Sequence, residues 1–166
     1  MAETPIARRD VNTDGKQTSD SATCQLYASA QALTFLTALW FPSVWNAPNA
    51  AHVVGLSLFP VGVSCRLWAI RTLGVFYSHR VRSVTEHGIV ASGPYSVIRH
   101  PAYAGMIIAN AGVALYFLNG VTLTVFLFAL VPAIVVRIVI EEKMLFGIDG
   151  YAEFSKNRKR LFPGIW

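Results

Sequence analysis

Residues 101–142 read PAYAGMIIANAGVALYFLNGVTLTVFLFALVPAIVVRIVIEE. No Asp, Glu, Lys or Arg occurs in this stretch before Arg137, and Asn119-Gly120 interrupts it near its middle. A bilayer core takes roughly 20 apolar helical residues per crossing. The stretch therefore predicts a helical hairpin, with one span over about 101–118 and a second over about 121–140. Pro101 is well placed at a helix first turn, where its missing N–H does no harm. Gly105, Ala109 and Gly112 form a small-residue seam suited to close packing against a neighbouring helix. Pro132 predicts a kink in the second span.

The same pattern repeats upstream. No charged residue occurs from Gln25 through Cys65, and Asn46-Ala47-Pro48-Asn49 divides this region into spans of about 24–45 and 51–70. Tyr27, Trp40 and Trp45 lie near the ends of the first span, where aromatic side chains anchor at an interface. Pro60 predicts a kink in the second, and Arg66 and Arg71 mark its exit from the apolar run. With 54% hydrophobic and 14% charged residues, the chain departs from soluble domains, in which about a quarter of residues are charged. The expectation is an all-α, polytopic membrane protein of about four transmembrane helices, forming a single domain over 24–166. Residues 1–23 are rich in Thr, Asp and Ser, with almost no large apolar residue, which predicts a disordered polar tail without the apolar core of a cleaved signal peptide.

Charge placement gives the orientation. The turns at Asn46 and Asn119 carry no Lys or Arg, whereas the tail, the 71–100 interlude and the C-terminal segment hold nearly all of them. Positive-inside reasoning puts both termini and the polar interlude in the cytosol. The net charge of +5 thus reflects membrane topology, and no nucleic-acid partner is expected, because the basic residues are not interleaved with exposed aromatics. Cys24 and Cys65 are too few and too far apart for a disulfide framework or a zinc site. Oligomeric state is not legible.

Chemistry-bearing residues gather at one place in this topology. The interlude is about 30 residues long, has little periodicity, and is broken by Gly74, Gly88, Gly93 and Pro94, a pattern that usually signals function. It ends at His100, just before the third span, where helix N–H groups are still free. At the end of the fourth span stand Arg137, Glu141 and Glu142. A charge inside an apolar span is costly, so Arg137 must be near the interface, paired, or facing a cavity. Arg137 and Glu141 are four residues apart on one helix face. They can pair with each other, or they can face an anionic substrate and a cationic cofactor. Glu142 points elsewhere, toward solvent or a basic loop residue. The four histidines show no HxxxH or HExxH spacing, so no metal site is expected.

Three segments together carry a resemblance. They are GPYSVIRHPAYAG (93–105), RIVIEEKMLFG-x-x-GYAEF (137–154) and, upstream, RLWAIRTLG (66–74). In these, residues 65–166 resemble the isoprenylcysteine carboxyl methyltransferase family, which belongs with the membrane phospholipid methyltransferases. The resemblance implies an S-adenosyl-L-methionine-dependent enzyme whose C-terminal half encloses the cofactor. It implies that the backbone of His87, Gly88, Ile89 and Val90 lines the cofactor, and that Tyr95 and the His100-Pro101-Ala102-Tyr103 turn complete that wall. Glu141 would face the cofactor, and Arg137 would hold a substrate carboxylate. The partners implied are a lipophilic or prenylated substrate and membrane lipid. The alternatives are an N-methyltransferase of the phosphatidylethanolamine type, for which Glu142 or a histidine would serve as base, a nicotinamide-dependent sterol-reductase relative, for which the chain is short, and a non-catalytic membrane subunit.

Overall fold

A computed structural model describes residues 10–45, 47–74, 89–164 and 166. Among the described residues the protein is helical and contains no strand, apart from an isolated parallel bridge between Ile98 and Lys159. Helix α1 spans Asp10–Trp40 and α2 spans Ala50–Leu73. A short 3₁₀ turn, Gly93–Ser96, leads to α3, Pro101–Tyr116. Helix α4 runs over Gly120–Leu145, and a short helix α5 spans Tyr151–Lys156.

Local chemistry sets these limits. Trp40 is the last residue of α1 because Phe41 precedes Pro42, and the residue before a proline is pushed out of the helical region. Asn49 starts α2 through a capping box, accepting from the N–H of Ala51 at 2.9 Å while its own N–H donates to His52 Nδ1 at 3.2 Å. Gly74 ends α2 with φ of 53°, a left-handed conformation that favours glycine. Asn119 caps α4 by accepting from Thr122 N–H at 2.8 Å. A kink is predicted at Pro132, and the turn that precedes it, Phe126–Leu130, is a π-turn. Widening the helix there accommodates a ring that cannot donate and would clash with the carbonyl one turn back.

Two antiparallel pairs make the bundle. Helices α2 and α3 pack backbone to backbone along the seam expected from Gly105, Ala109 and Gly112. Its partner residues are Gly55 and Gly62: a Cβ at Gly62 would lie 2.3 Å from Ala109 N, and one at Gly112 would lie 2.7 Å from Gly55 O. Helix α1 packs along α4, with Thr23 reaching Arg137 at one end and Phe41 receiving a hydrogen bond from Asn119 at the other. The core between the pairs holds Met106, Leu130, Ile134 and Ile138, all nearly inaccessible.

The sequence reading needs adjustment at the first helix. The tail was expected to extend to Thr23, but α1 begins at Asp10, and Thr23 is buried. Helices α2 and α4, with 24 and 26 residues, are long and apolar enough to cross a membrane. Helix α3 is shorter: its 16 residues span about 24 Å at 1.5 Å per residue.

Candidate active site

The end of α2, the start of α3, the end of α4 and the C-terminal segment meet at one end of the bundle. Pro101 opens α3, and the residues before it pair with the C-terminal segment at Lys159 and Arg160. Arg99 N–H donates to Lys159 O and His100 N–H to Arg160 O, each at 2.9 Å. This pairing supplies acceptors to backbone donors that a helix start leaves open, and it draws two arginines toward the end of α4.

Glu142 receives them. Its carboxylate is 2% exposed, and Arg99 Nη1 donates to Oε1 at 2.6 Å while Arg160 Nε donates to Oε2 at 2.6 Å. His100 Nε2 lies 3.4 Å from Oε1. Arg160 also stacks over the Trp166 ring at 4.9 Å. A buried carboxylate is tolerable only when paired and hydrogen-bonded, and here both oxygens are met. Glu142 therefore does not point to solvent; it pins the His100-Pro101 turn and the C-terminal segment to α4.

Arg137 and Glu141 lie beside this clamp, joined through a third residue. Tyr103 Oη donates to Glu141 Oε2 at 2.8 Å and accepts from Arg137 Nε at 3.3 Å. Arg137 Nη1 donates to Thr23 Oγ1 of α1 at 3.0 Å, and the Tyr27 ring packs edge-on against Tyr103 with centroids 6.3 Å apart. Arg137 is 3% exposed. The guanidinium thus faces inward, and its neighbour Glu141 is half-buried, with hydrogen bonding to only one of its oxygens among the described residues.

The remaining predicted residues divide into two groups. Ile89, Val90 and Ala102 pack against a buried cluster of Ala69, Tyr95, Tyr151 and Phe154. Ala102 O also accepts from Arg66 Nη1 at 3.2 Å, tying α2 to the turn. His87 and Gly88 lie outside the described residues. Tyr151, which sequence reasoning did not single out, is buried with a hydroxyl that has no hydrogen-bond partner among the described residues. Burial, reinforced by the Glu142 carboxylate, pushes this phenol well above its ordinary range, so it is a neutral donor. Its position after Gly150 could have drawn attention: Gly150 has φ of 84°, and a Cβ there would meet Ile89 at 3.2 Å. Among the described residues no three His, Cys, Asp or Glu side chains gather to hold a metal ion, and both cysteines are free thiols.

Residues 53–147 match the isoprenylcysteine carboxyl methyltransferase (ICMT) family. The chain is 35% identical over 121 residues to the protein-S-isoprenylcysteine O-methyltransferase of Saccharomyces cerevisiae, covering 72% of this chain and 50% of the yeast protein. It is 32% identical over 143 residues to protein-S-isoprenylcysteine O-methyltransferase A of Arabidopsis thaliana, covering 79% and 70%. An uncharacterised protein of Bacillus subtilis, YpbQ, is 29% identical over 104 residues, covering 63% and 58%. The aligned part of this chain thus spans half the length of the yeast relative. The match takes in most of α2, the His100-Pro101 turn, Tyr103, Arg137, Glu141 and Glu142, and more than half of the sequence lies within it: the chain belongs to the isoprenylcysteine carboxyl methyltransferase family.

Proposed function

We propose that this chain is an S-adenosyl-L-methionine-dependent methyltransferase that esterifies the carboxylate of a lipophilic, prenylcysteine-like acid at the cytosolic face of a membrane. The observation that carries the reading is the Arg137–Tyr103–Glu141 chain. A guanidinium suited to a carboxylate and a carboxylate suited to a cation are held side by side at the polar end of an apolar bundle.

The residues fit the cofactor. Among the described residues Glu141 has one carboxylate oxygen without a hydrogen bond, Tyr151 offers a buried hydroxyl without one, and Ile89, Val90, Ala102 and Tyr95 supply an apolar wall. When bound, S-adenosyl-L-methionine supplies a methyl on a sulfonium: its transfer to a carboxylate oxygen breaks the carbon–sulfur bond, leaves the electron pair on sulfur, and cancels one positive and one negative charge without moving a proton.

The chain's own residues then have three tasks. Arg137 orients the acceptor oxygen, and such positioning supplies as much as ~7–11 kcal/mol of barrier lowering. Glu141 offers negative charge where the cation lies. The Glu142 clamp holds the His100–Tyr103 turn rigid between them. An amine acceptor would need a base to take its proton, yet Glu142 is already committed to Arg99 and Arg160, and His100 lies against it. That arrangement favours an acid over an amine.

The surface supports placement in a membrane. Helices α1 and α2 expose Leu36, Leu39, Val53, Leu56 and Trp68, an apolar exterior that lipid would cover. Four crossings, with the site at the cytosolic end, accommodate it. The test is an assay with radiolabelled S-adenosyl-L-methionine against prenylcysteine, fatty-acid and aminophospholipid acceptors. Base-labile label on prenylcysteine is expected; base-stable label on the amine would overturn the reading.

A further inference from the structure

The end of the bundle away from the Glu142 clamp holds an open pocket of about 400 Å³, within the usual size range for small-molecule sites. It lies between the turn after α1, the start of α2 and the end of α3. Trp45, His52 and Tyr116 line it. The His52 ring stands 6.0 Å from Trp45 at 53° and 5.2 Å from Tyr116 at 85°, so the three planes form a corner and not a stack. These walls are held in place by the protein itself. Trp45 Nε1 donates to Leu115 O at 3.1 Å and Val44 N–H to Leu118 O at 2.8 Å, using carbonyls that a helix end leaves open. Asn49 Oδ1 already accepts from the N–H groups of Ala51 and His52, and Asn49 N–H donates to His52 Nδ1 at 3.2 Å. With Nδ1 as an acceptor, the ring proton sits on Nε2. That donor has no hydrogen-bond partner among the described residues.

Charge selects the occupant. No Asp, Glu, Lys or Arg occurs from Gln25 through Cys65 or from Pro101 through Val136, so the segments that line the pocket are uncharged. A lone cation would find no carboxylate there, and a lone anion no Lys or Arg. A zwitterion can be met at both ends: ring faces attract a cation, and a neutral Nε2–H donates to an anionic oxygen. A primary ammonium would bring three N–H groups needing acceptors, while the carbonyls of Leu115 and Leu118 already accept from Trp45 and Val44. A trimethylammonium has no N–H to satisfy. We propose that this pocket binds the phosphocholine headgroup of a membrane lipid, with the trimethylammonium against Trp45 and Tyr116 and a phosphate oxygen on His52 Nε2. Val53 and Leu56, which also line the pocket, are 66% and 65% exposed and continue along the outer face of α2, where the lipid's chains lie. The inference rests on placement of the bundle in a membrane and not on the methyl-transfer chemistry at the opposite end.

The test compares headgroups on the full-length protein in maltoside micelles by native mass spectrometry. Phosphatidylcholine, phosphatidylethanolamine and phosphatidylglycerol with identical acyl chains are added in equal amounts. The first lipid retained should be phosphatidylcholine, favoured roughly tenfold over each of the others, in keeping with the attraction of a desolvated quaternary ammonium to two ring faces. Trp45→Leu and Tyr116→Leu should each reduce that preference roughly fivefold, whereas Tyr116→Phe, which keeps a ring face, should preserve it. The wild-type comparison decides the matter even where a leucine variant fails to fold. Equal retention of the three lipids, or an unaltered preference in a folded leucine variant, would overturn the proposal and leave the rings as interfacial anchors. Free phosphocholine displacing the lipid at equal concentration would overturn a lipid as the occupant. Flotation with vesicles reads the membrane placement separately. Protein left in the aqueous layer would overturn that placement, whereas protein that floats but shows no headgroup preference overturns the pocket alone.

Discussion

Arg99 and Glu142 stand 43 positions apart in sequence and 2.6 Å apart in space. Arg99 belongs to the turn that starts α3, and Glu142 to the last turns of α4, so their contact closes the polar end of the bundle. Arg160 reaches the same carboxylate from the C-terminal segment. Removing the carboxylate leaves two guanidiniums facing each other without their shared acid. Breaking one side of a buried ion pair costs about 3–5 kcal/mol; the lower end applies here because Arg160 is partly exposed. Glu142→Ala should therefore lose about 3 kcal/mol of stability, and Glu142→Gln less. Thermal unfolding in detergent reads this directly, and an unchanged midpoint for the alanine variant would show that the clamp is not structural.

The α2–α3 seam carries a second expectation. At Gly62 an added methyl would sit 2.3 Å from Ala109 N and 2.5 Å from Gly105 O, both backbone atoms that cannot move aside alone. Gly62→Ala must part the two helices, at a cost of about 1–3 kcal/mol for overpacking. Because α3 begins with Pro101 and Tyr103, the same change should lower turnover as well. Gly120→Ala is the control, since nothing lies within 4 Å of its added carbon. Equal unfolding midpoints for the two variants would refute the close contact.

Much of this arrangement was legible in the sequence, for reasons that differ by residue. Charge-free runs separated by Asn46 and Asn119 mark helices because an apolar stretch of that length has few other solutions. Gly105, Ala109 and Gly112 announce a seam, although only the structure pairs it with Gly55 and Gly62. Arg137 could be placed inward, since an unpaired charge inside an apolar span is costly. Its actual neighbours could not. Helical spacing suggests Glu141 as a direct partner, but Tyr103, on another helix, stands between them. For Glu142 the sequence offers solvent or a basic loop residue; the second holds, but which arginines reach it is set by long-range pairing that no local pattern encodes. The polar composition of residues 1–23 concealed that Thr23 reaches the guanidinium.

Thr23 makes the α1 contribution testable. Its hydroxyl accepts from Arg137 Nη1 at 3.0 Å, and valine has nearly the same shape without the acceptor. A hydrogen bond to a charged group contributes about 1.5–3 kcal/mol, so Thr23→Val should leave the guanidinium less well aimed. Under the proposed function, KM for the lipophilic acid should rise roughly tenfold, taking the lower end of that range, while cofactor affinity holds steady. Arg137→Lys should be more damaging, because a point charge replaces a planar fork. An unaltered KM in Thr23→Val would confine α1 to a packing role.

Tyr151 offers the sharpest contrast between stability and binding. Its hydroxyl is buried without a hydrogen-bond partner among the described residues, and such a group costs about 1–3 kcal/mol relative to one that is satisfied. Removing it should therefore leave folding unharmed: Tyr151→Phe is expected to unfold at the same temperature as the wild type or higher. If the hydroxyl is kept for the methyl donor, the same variant should bind the donor roughly tenfold more weakly, the loss expected for one hydrogen bond of about 1.4 kcal/mol. Burial and the Glu142 carboxylate hold the phenol protonated well above its usual range, so this contribution should not titrate away as pH rises to 10. Calorimetric donor affinity and the unfolding midpoint, measured on the same preparation, decide the matter. Undiminished affinity with raised stability would mean that the hydroxyl is simply an unmet polar group, and that the donor lies elsewhere along the Ile89–Tyr95 wall.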